Sequence, residues 1–114
     1  MKGIHKMDLL KKIEQLEYHQ QLLLQIIENP NNEFSKLIVW KKLTQEEVVD
    51  FYHLCDEMSK KLEEQKADGF VYFYPLLNEF SEKLNDKLDV KETIFACLKQ
   101  NLYLPLMKEL AKLI

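Results

Sequence analysis

The chain contains no arginine: all 16 of its basic residues are lysine, set against 19 acidic ones for a formal net charge of -3. A guanidinium fork is the usual means of gripping phosphate, carboxylate or guanine through two bonds at once. Its absence, together with a mildly acidic balance, argues against nucleic acid as a partner. Glycine and proline are almost as scarce, with 2 and 3 among 114 residues. Few positions can then adopt the left-handed or kinked backbone that hairpins and phosphate-cradling loops demand. That excludes a P-loop or Rossmann cradle and favours helices joined by short connections. The two cysteines, Cys55 and Cys97, lack Cys-x-x-Cys spacing and fall within helical apolar patterns, which predicts buried thiols in a reducing compartment. No apolar run, the amino-terminal MKGIHKMDLLKK included, reaches the length of a signal-peptide core or a membrane span, so a cytoplasmic location without membrane contact is expected.

What the sequence does have is helical periodicity. A hydrophobic content of 46% over 114 residues suffices for one core, and a single helical domain over 1–114 is expected. Leu9, Ile13, Leu16, Leu23 and Ile27 recur at alternating steps of four and three, which predicts a long first helix with one apolar stripe. It should end near Glu28, because Asn29 precedes Pro30 and residues before proline leave the helical region. Tyr18, Leu22 and Ile26 form a second stripe roughly opposite, so the end of this helix is apolar nearly all round and asks for cover on every side. Gln20 interrupts the main stripe. A lone polar residue there either fixes the register of paired helices or reaches solvent from the stripe's edge.

Asn31 or Asn32 can cap a short second helix that buries Phe34, Leu37 and Ile38, with Trp40 packed over its end. Thr44 and Glu47 fit a capping box, and Leu43 with Val48 a hydrophobic staple, at the start of a long third helix. Its stripe of Val48, Phe51, Cys55, Met58 and Leu62 makes it the natural antiparallel partner of the first, and it should close before Asp68-Gly69. The aromatic run FVYFY at 70–74 is expected to plug the core as an extended segment. It lacks the polar chemistry of a ligand pocket. Pro75 should open a fourth helix carrying Leu76, Leu77, Phe80 and Leu84. Asp89 as cap with Glu92 as its reciprocal partner starts a fifth, with Ile94, Phe95, Cys97 and Leu98 on its apolar face and Asn101 as a left-handed close. Pro105 suits the first turn of a last helix with Leu106, Leu110 and Leu113 inward. The expected fold is all-α, a compact bundle of about five to six helices with a long N-terminal helix.

With these segments placed, the chain resembles the YhaI-like family, small uncharacterised helical proteins of Bacillus and relatives classed as a domain of unknown function. The likeness rests on IEQLEY at 13–18, on LCDE at 54–57 through EQKADGFV at 64–71, and on LNDKLDVKETIFA at 84–96. The resemblance implies a compact multihelical domain without an established activity and offers no functional residues to carry over.

For chemistry the sequence offers one weak constellation: Asp50, His53 and Glu57, at i, i+3 and i+7 of the third helix, a spacing that can present ligands to a divalent metal. His53 projects away from the core stripe, so the expectation is a solvated face and no metal. Neither cysteine has a sequence cue for a histidine and acid partner, and no cofactor, catalytic residue or enzymatic activity is expected. The start LTQEEV could open the second helix of a DNA reader. The helix it begins carries Asp50, Asp56, Glu57, Glu63 and Glu64 against Lys60 and Lys61, the wrong charge for that role. The function expected is a homo-oligomeric protein-interaction or adaptor module with an unidentified protein partner, the alternative being a metal- or small-ligand-sensing regulator. Because the third helix can cover the main stripe of the first, the contact between copies is expected at Tyr18, Leu22 and Ile26.

Overall fold

The computed structural model describes residues 6–114; the first five, and with them the reading of the amino terminus, lie outside it. Among the described residues the chain forms six α-helices and no strand: α1 (Lys6–Glu28), α2 (Glu33–Trp40), α3 (Gln45–Ala67), α4 (Phe73–Lys83), α5 (Val90–Lys99) and α6 (Leu104–Ala111). The class is all-α with a long N-terminal helix, as periodicity requires.

Three helices end by one device. After α2, α3 and α5 the chain passes through a left-handed residue, Lys42 (φ 58°), Gly69 (φ 91°) and Asn101 (φ 61°) respectively. In each case the amide of that residue and the amide of the next fold back onto the last turn. Leu43 N–H reaches Ile38 O at 2.9 Å, Phe70 N–H reaches Gln65 O at 3.2 Å, and Leu102 N–H reaches Cys97 O at 2.9 Å. These are Schellman closures, which satisfy carbonyls that a helix end otherwise leaves unpaired. Gly69 and Asn101 suit the left-handed position, whereas Lys42 is held there against its intrinsic preference.

The starts are equally local at α3 and α5. Thr44 Oγ1 accepts from Glu47 N at 3.0 Å while Thr44 N donates to the Glu47 carboxylate at 3.0 Å, so the capping box forms in full. Asp89 caps α5 through Glu92 N at 2.9 Å, but the Glu92 carboxylate turns to Lys41 at 3.5 Å instead of closing a box. At α2 the Asn32 side chain makes no cap bond. The N–H of Ser35 is met by Gln100 Oε1 from the end of α5 at 3.0 Å, and Gln100 Nε2 returns a bond to Ser35 Oγ at 3.2 Å. The α4 helix begins two residues ahead of Pro75, which sits within the first turn where its missing N–H costs nothing.

The core is built on α3. Val48, Phe51, Leu54, Cys55, Met58 and Leu62 are buried, with α4 and α6 packed along them, α5 bridging α6 to α2, and Phe34 stacked on Phe51 at 4.7 Å between ring centres. The expected pairing of the first and third helices is not the arrangement adopted: the principal neighbour of α1 is α2. Its first half projects from the body, every residue from Lys6 to Glu14 being exposed. The molecule is accordingly elongated, 60 × 32 × 21 Å, with a radius of gyration of 16.6 Å. A compact chain of this length would have about 13 Å. No helix among the described residues is long and apolar enough to cross a membrane.

Candidate interaction surface

The α1 helix has two faces with opposite fates. On the inner face Leu22 is buried, Tyr18 is half-buried against the core, and Ile26 is partly covered. Burial pushes the Tyr18 phenol above its ordinary pKa, with Tyr52 nearby adding to the rise. Two polar neighbours on this face, one turn apart, reach the loop between α2 and α3. Gln15 Nε2 donates to Leu43 O at 3.1 Å and lies 3.4 Å from Lys42 O, and His19 Nε2 lies 2.8 Å from Leu43 O. A carbonyl can only accept, so His19 carries its hydrogen on Nε2.

The expectation that Tyr18, Leu22 and Ile26 form the outward contact is therefore corrected: they face the body of their own chain. The physical reason is hydrogen bonding. The Lys42–Leu43 turn offers carbonyls that need donors, and of the two stripes on α1 the one flanked by Gln15 and His19 supplies them while burying Leu22.

The stripe expected to be covered is the open one. Leu9, Ile13, Leu16, Leu23 and Ile27 are all exposed, Leu16 by 63% and Ile27 by 76%, with Leu10 and Leu24 exposed beside them, whereas Leu22 retains 9%. Gln20 is exposed with them. The accessible surface of the protein is 8011 Å². A compact monomer of this mass would show roughly 6,600 Å². An apolar face of this extent is beyond what scattered surface hydrophobes produce.

The other candidates are less developed. Asp50, His53 and Glu57 lie together on the exposed side of α3, in an open groove of about 550 Å³ completed by Leu54, Asp56, Lys60 and Lys83. Lys83 from α4 takes the carboxylate of Glu57 at 3.6 Å and that of Glu79 at 3.1 Å. Among the described residues no group of three or more His, Cys, Asp or Glu side chains is placed to hold a metal. Cys55 and Cys97 are fully buried, and burial raises both thiols, Cys97 to about 12, so each is protonated at neutral pH. The thiolate is the reactive form, and here it is suppressed.

Two aromatic expectations are also corrected. Trp40 does not pack over its helix end but stands 77% exposed beside a hollow lined by Glu33, Lys36, Leu37, Glu92, Ala96 and Lys99. Phe70, Tyr72 and Tyr74 do not plug the core. They are exposed, Phe70 edge-on to Tyr72 at 4.9 Å, and only Val71 and Phe73 turn partly inward. Tyr74 lies in the first turn of α4, which directs only one side inward, while Phe70 and Tyr72 stand in the connection ahead of it.

Fold and surface together define a small all-α protein with a well-formed helical body and one long helix left apolar on its outer side. Within that class the chain belongs to the family described as "Protein of unknown function (DUF1878)", whose model matches residues 7–114.

Proposed function

We propose that the protein is a non-enzymatic, cytoplasmic interaction module that homo-oligomerises through the outer face of α1 and presents its remaining surface to a protein partner. The observation that carries the reading is the row of seven large apolar side chains on α1, Leu9, Leu10, Ile13, Leu16, Leu23, Leu24 and Ile27, each at least 43% exposed among the described residues. Burying such a face is the dominant favourable term in association, and the second surface of matching shape and chemistry nearest to hand is the same face of another copy. The finer kinship, to the YhaI-like proteins of Bacillus and relatives, belongs to the same proposal and rests on the three strings that carry that resemblance.

Light scattering on a size-exclusion column tests it. Untagged protein at tens of micromolar is expected to run above the 13.7 kDa of one chain, and a monomer would sink the idea. Changing Leu16→Glu together with Leu23→Glu should dissociate the oligomer while helical content is preserved, since both side chains lie off the body in the single chain.

A further inference from the structure

The outer face of α1 carries more information than its hydrophobicity. Its alternating steps fit a heptad frame in which Ile13, Gln20 and Ile27 occupy a positions and Leu9, Leu16 and Leu23 occupy d positions, all of them exposed. Isoleucine at a with leucine at d is the combination that favours two parallel strands, because the branched Cβ packs well at a and poorly at d in that geometry. Besides Lys6 in the first turn, the one polar a residue is Gln20, and a polar a residue within the seam fixes register by meeting its own counterpart.

The flanks agree. Lys12 falls at a g position and Glu17 at the following e position, and neither is ion-paired within the chain among the described residues. In a parallel pair the g residue of one strand lies beside the e residue of the next heptad on the other, so Lys12 meets the partner's Glu17 twice, once on each side of the two-fold axis. The reverse direction would set Glu17 beside the partner's Glu17 and Gln20 against the partner's Leu16. Leu10 and Leu24, both exposed at e positions, widen the seam on the side where the partner's helix would lie. The surface in excess of a compact monomer, roughly 1,400 Å², is also more than the roughly 800 Å² that a standard interface takes from each partner.

We infer that α1 pairs in parallel and in register with α1 of a second copy, as a short two-stranded coil with Gln20 beside the partner's Gln20 and Lys12 beside the partner's Glu17. This rests on the self-association proposed above. A helix of this length alone would be marginal in water, but its second half is already held by the body through Tyr18 and Leu22.

Cross-linking of the full chain tests the direction, with Leu9→Cys and Ile27→Cys made separately. Cys55 and Cys97 are buried and do not compete. A disulfide needs Cα atoms within about 7 Å. In the parallel arrangement each variant meets its own counterpart, so each alone should oxidise to a covalent dimer, and mixing the two should yield no additional product. An antiparallel pair centred on the same stripe would separate Leu9 from its counterpart by about 27 Å at 1.5 Å per residue. Cross-linking seen only in the mixture, with light scattering still reporting a dimer, overturns the parallel arrangement and leaves self-association standing. A monomer overturns both, and a dimer with no cross-link from either variant or the mixture overturns α1 as the contact. The charge pair gives a second readout: Lys12→Glu should raise the dimer Kd several-fold, and adding Glu17→Lys should restore it. Failure of that restoration also overturns the register.

Discussion

The two longest helices, α1 and α3, each have 23 residues and each carry apolar side chains at alternating steps of four and three. Yet α3 buries six residues and α1 buries one, Leu22. Pattern does not separate them; neighbours do. Helix α3 lies against α4 and α6, and its first turn is tied by Glu47 to Lys87 and Asn85 in the connection between α4 and α5. Helix α1 has α2 as its main neighbour and meets it with one face. An apolar stripe states a demand for cover, and the order of elements along the chain decides whether the chain itself meets it.

The largest expected contrast comes from truncating one leucine on each helix. Leu62 on α3 is 1% exposed, so Leu62→Ala leaves a cavity and should cost about 3 kcal/mol of unfolding free energy. Leu16→Ala on α1 should stay within about 0.5 kcal/mol when measured by denaturant titration at a concentration too low for association. Equal losses at the two sites would break the comparison and place Leu16 in a packed environment in the single chain.

A middle-sized effect sits in the first turn of α3, at Glu47. Burial raises its carboxyl, but the bonds from Lys87 at 2.6 Å, from the Thr44 amide and from Asn85 outweigh this and hold it down at about 2. A carboxyl held below its unfolded value adds stability that is present above pH 4.5 and is lost as pH falls from there towards 2. Glu47→Gln should therefore cost about 1 to 2 kcal/mol at pH 7, a figure reduced from the full linkage value because Lys87 is half in water. The variant should also lose less stability than the natural protein between pH 4.5 and 2, which acid titration followed by circular dichroism would read. Parallel acid profiles would mean that the Glu47 cluster does not lock α3 to its neighbours.

The contrast also marks what the sequence could and could not show. The Thr44–Glu47 box, the Gly69 and Asn101 closures and the buried stripe of α3 were legible because each is decided within a turn or two of chain. Gln100 capping α2 from 65 positions away was not, since nothing near Asn32 announces a donor or acceptor so remote. Neither was the choice of inner face on α1. By hydrophobicity alone the leucine stripe is stronger, and the decision for Leu22 turns on loop carbonyls that exist only once Lys42 has taken a left-handed conformation. The exposure of Trp40 and of Phe70, Tyr72 and Tyr74 escaped for the same reason. Bulk predicts burial on average, but the short α2 and the first turn of α4 each have one side to offer the core; Trp40 and Tyr74 stand on the other, and Phe70 and Tyr72 lie in the connection before α4.

The smallest effect sharpens the comparison most directly, because it concerns how firmly α1 is held. If the inner face is fixed chiefly by Leu22 and by the bonds from Gln15 and His19 to the Lys42–Leu43 turn, then α1 can open without unfolding α3. His19→Ala removes a 2.8 Å bond to a carbonyl that Gln15 still serves at 3.1 Å, so the loss should be modest, about 1 kcal/mol. Read by native-state hydrogen exchange at low protein concentration, protection of amides in the second half of α1 should fall about fivefold while those of α3 are unchanged. A drop shared by both helices would mean that they open as one unit. An unchanged α1 would mean that Leu22 and Tyr18 alone hold it, and that the polar contacts select the face without adding to its grip.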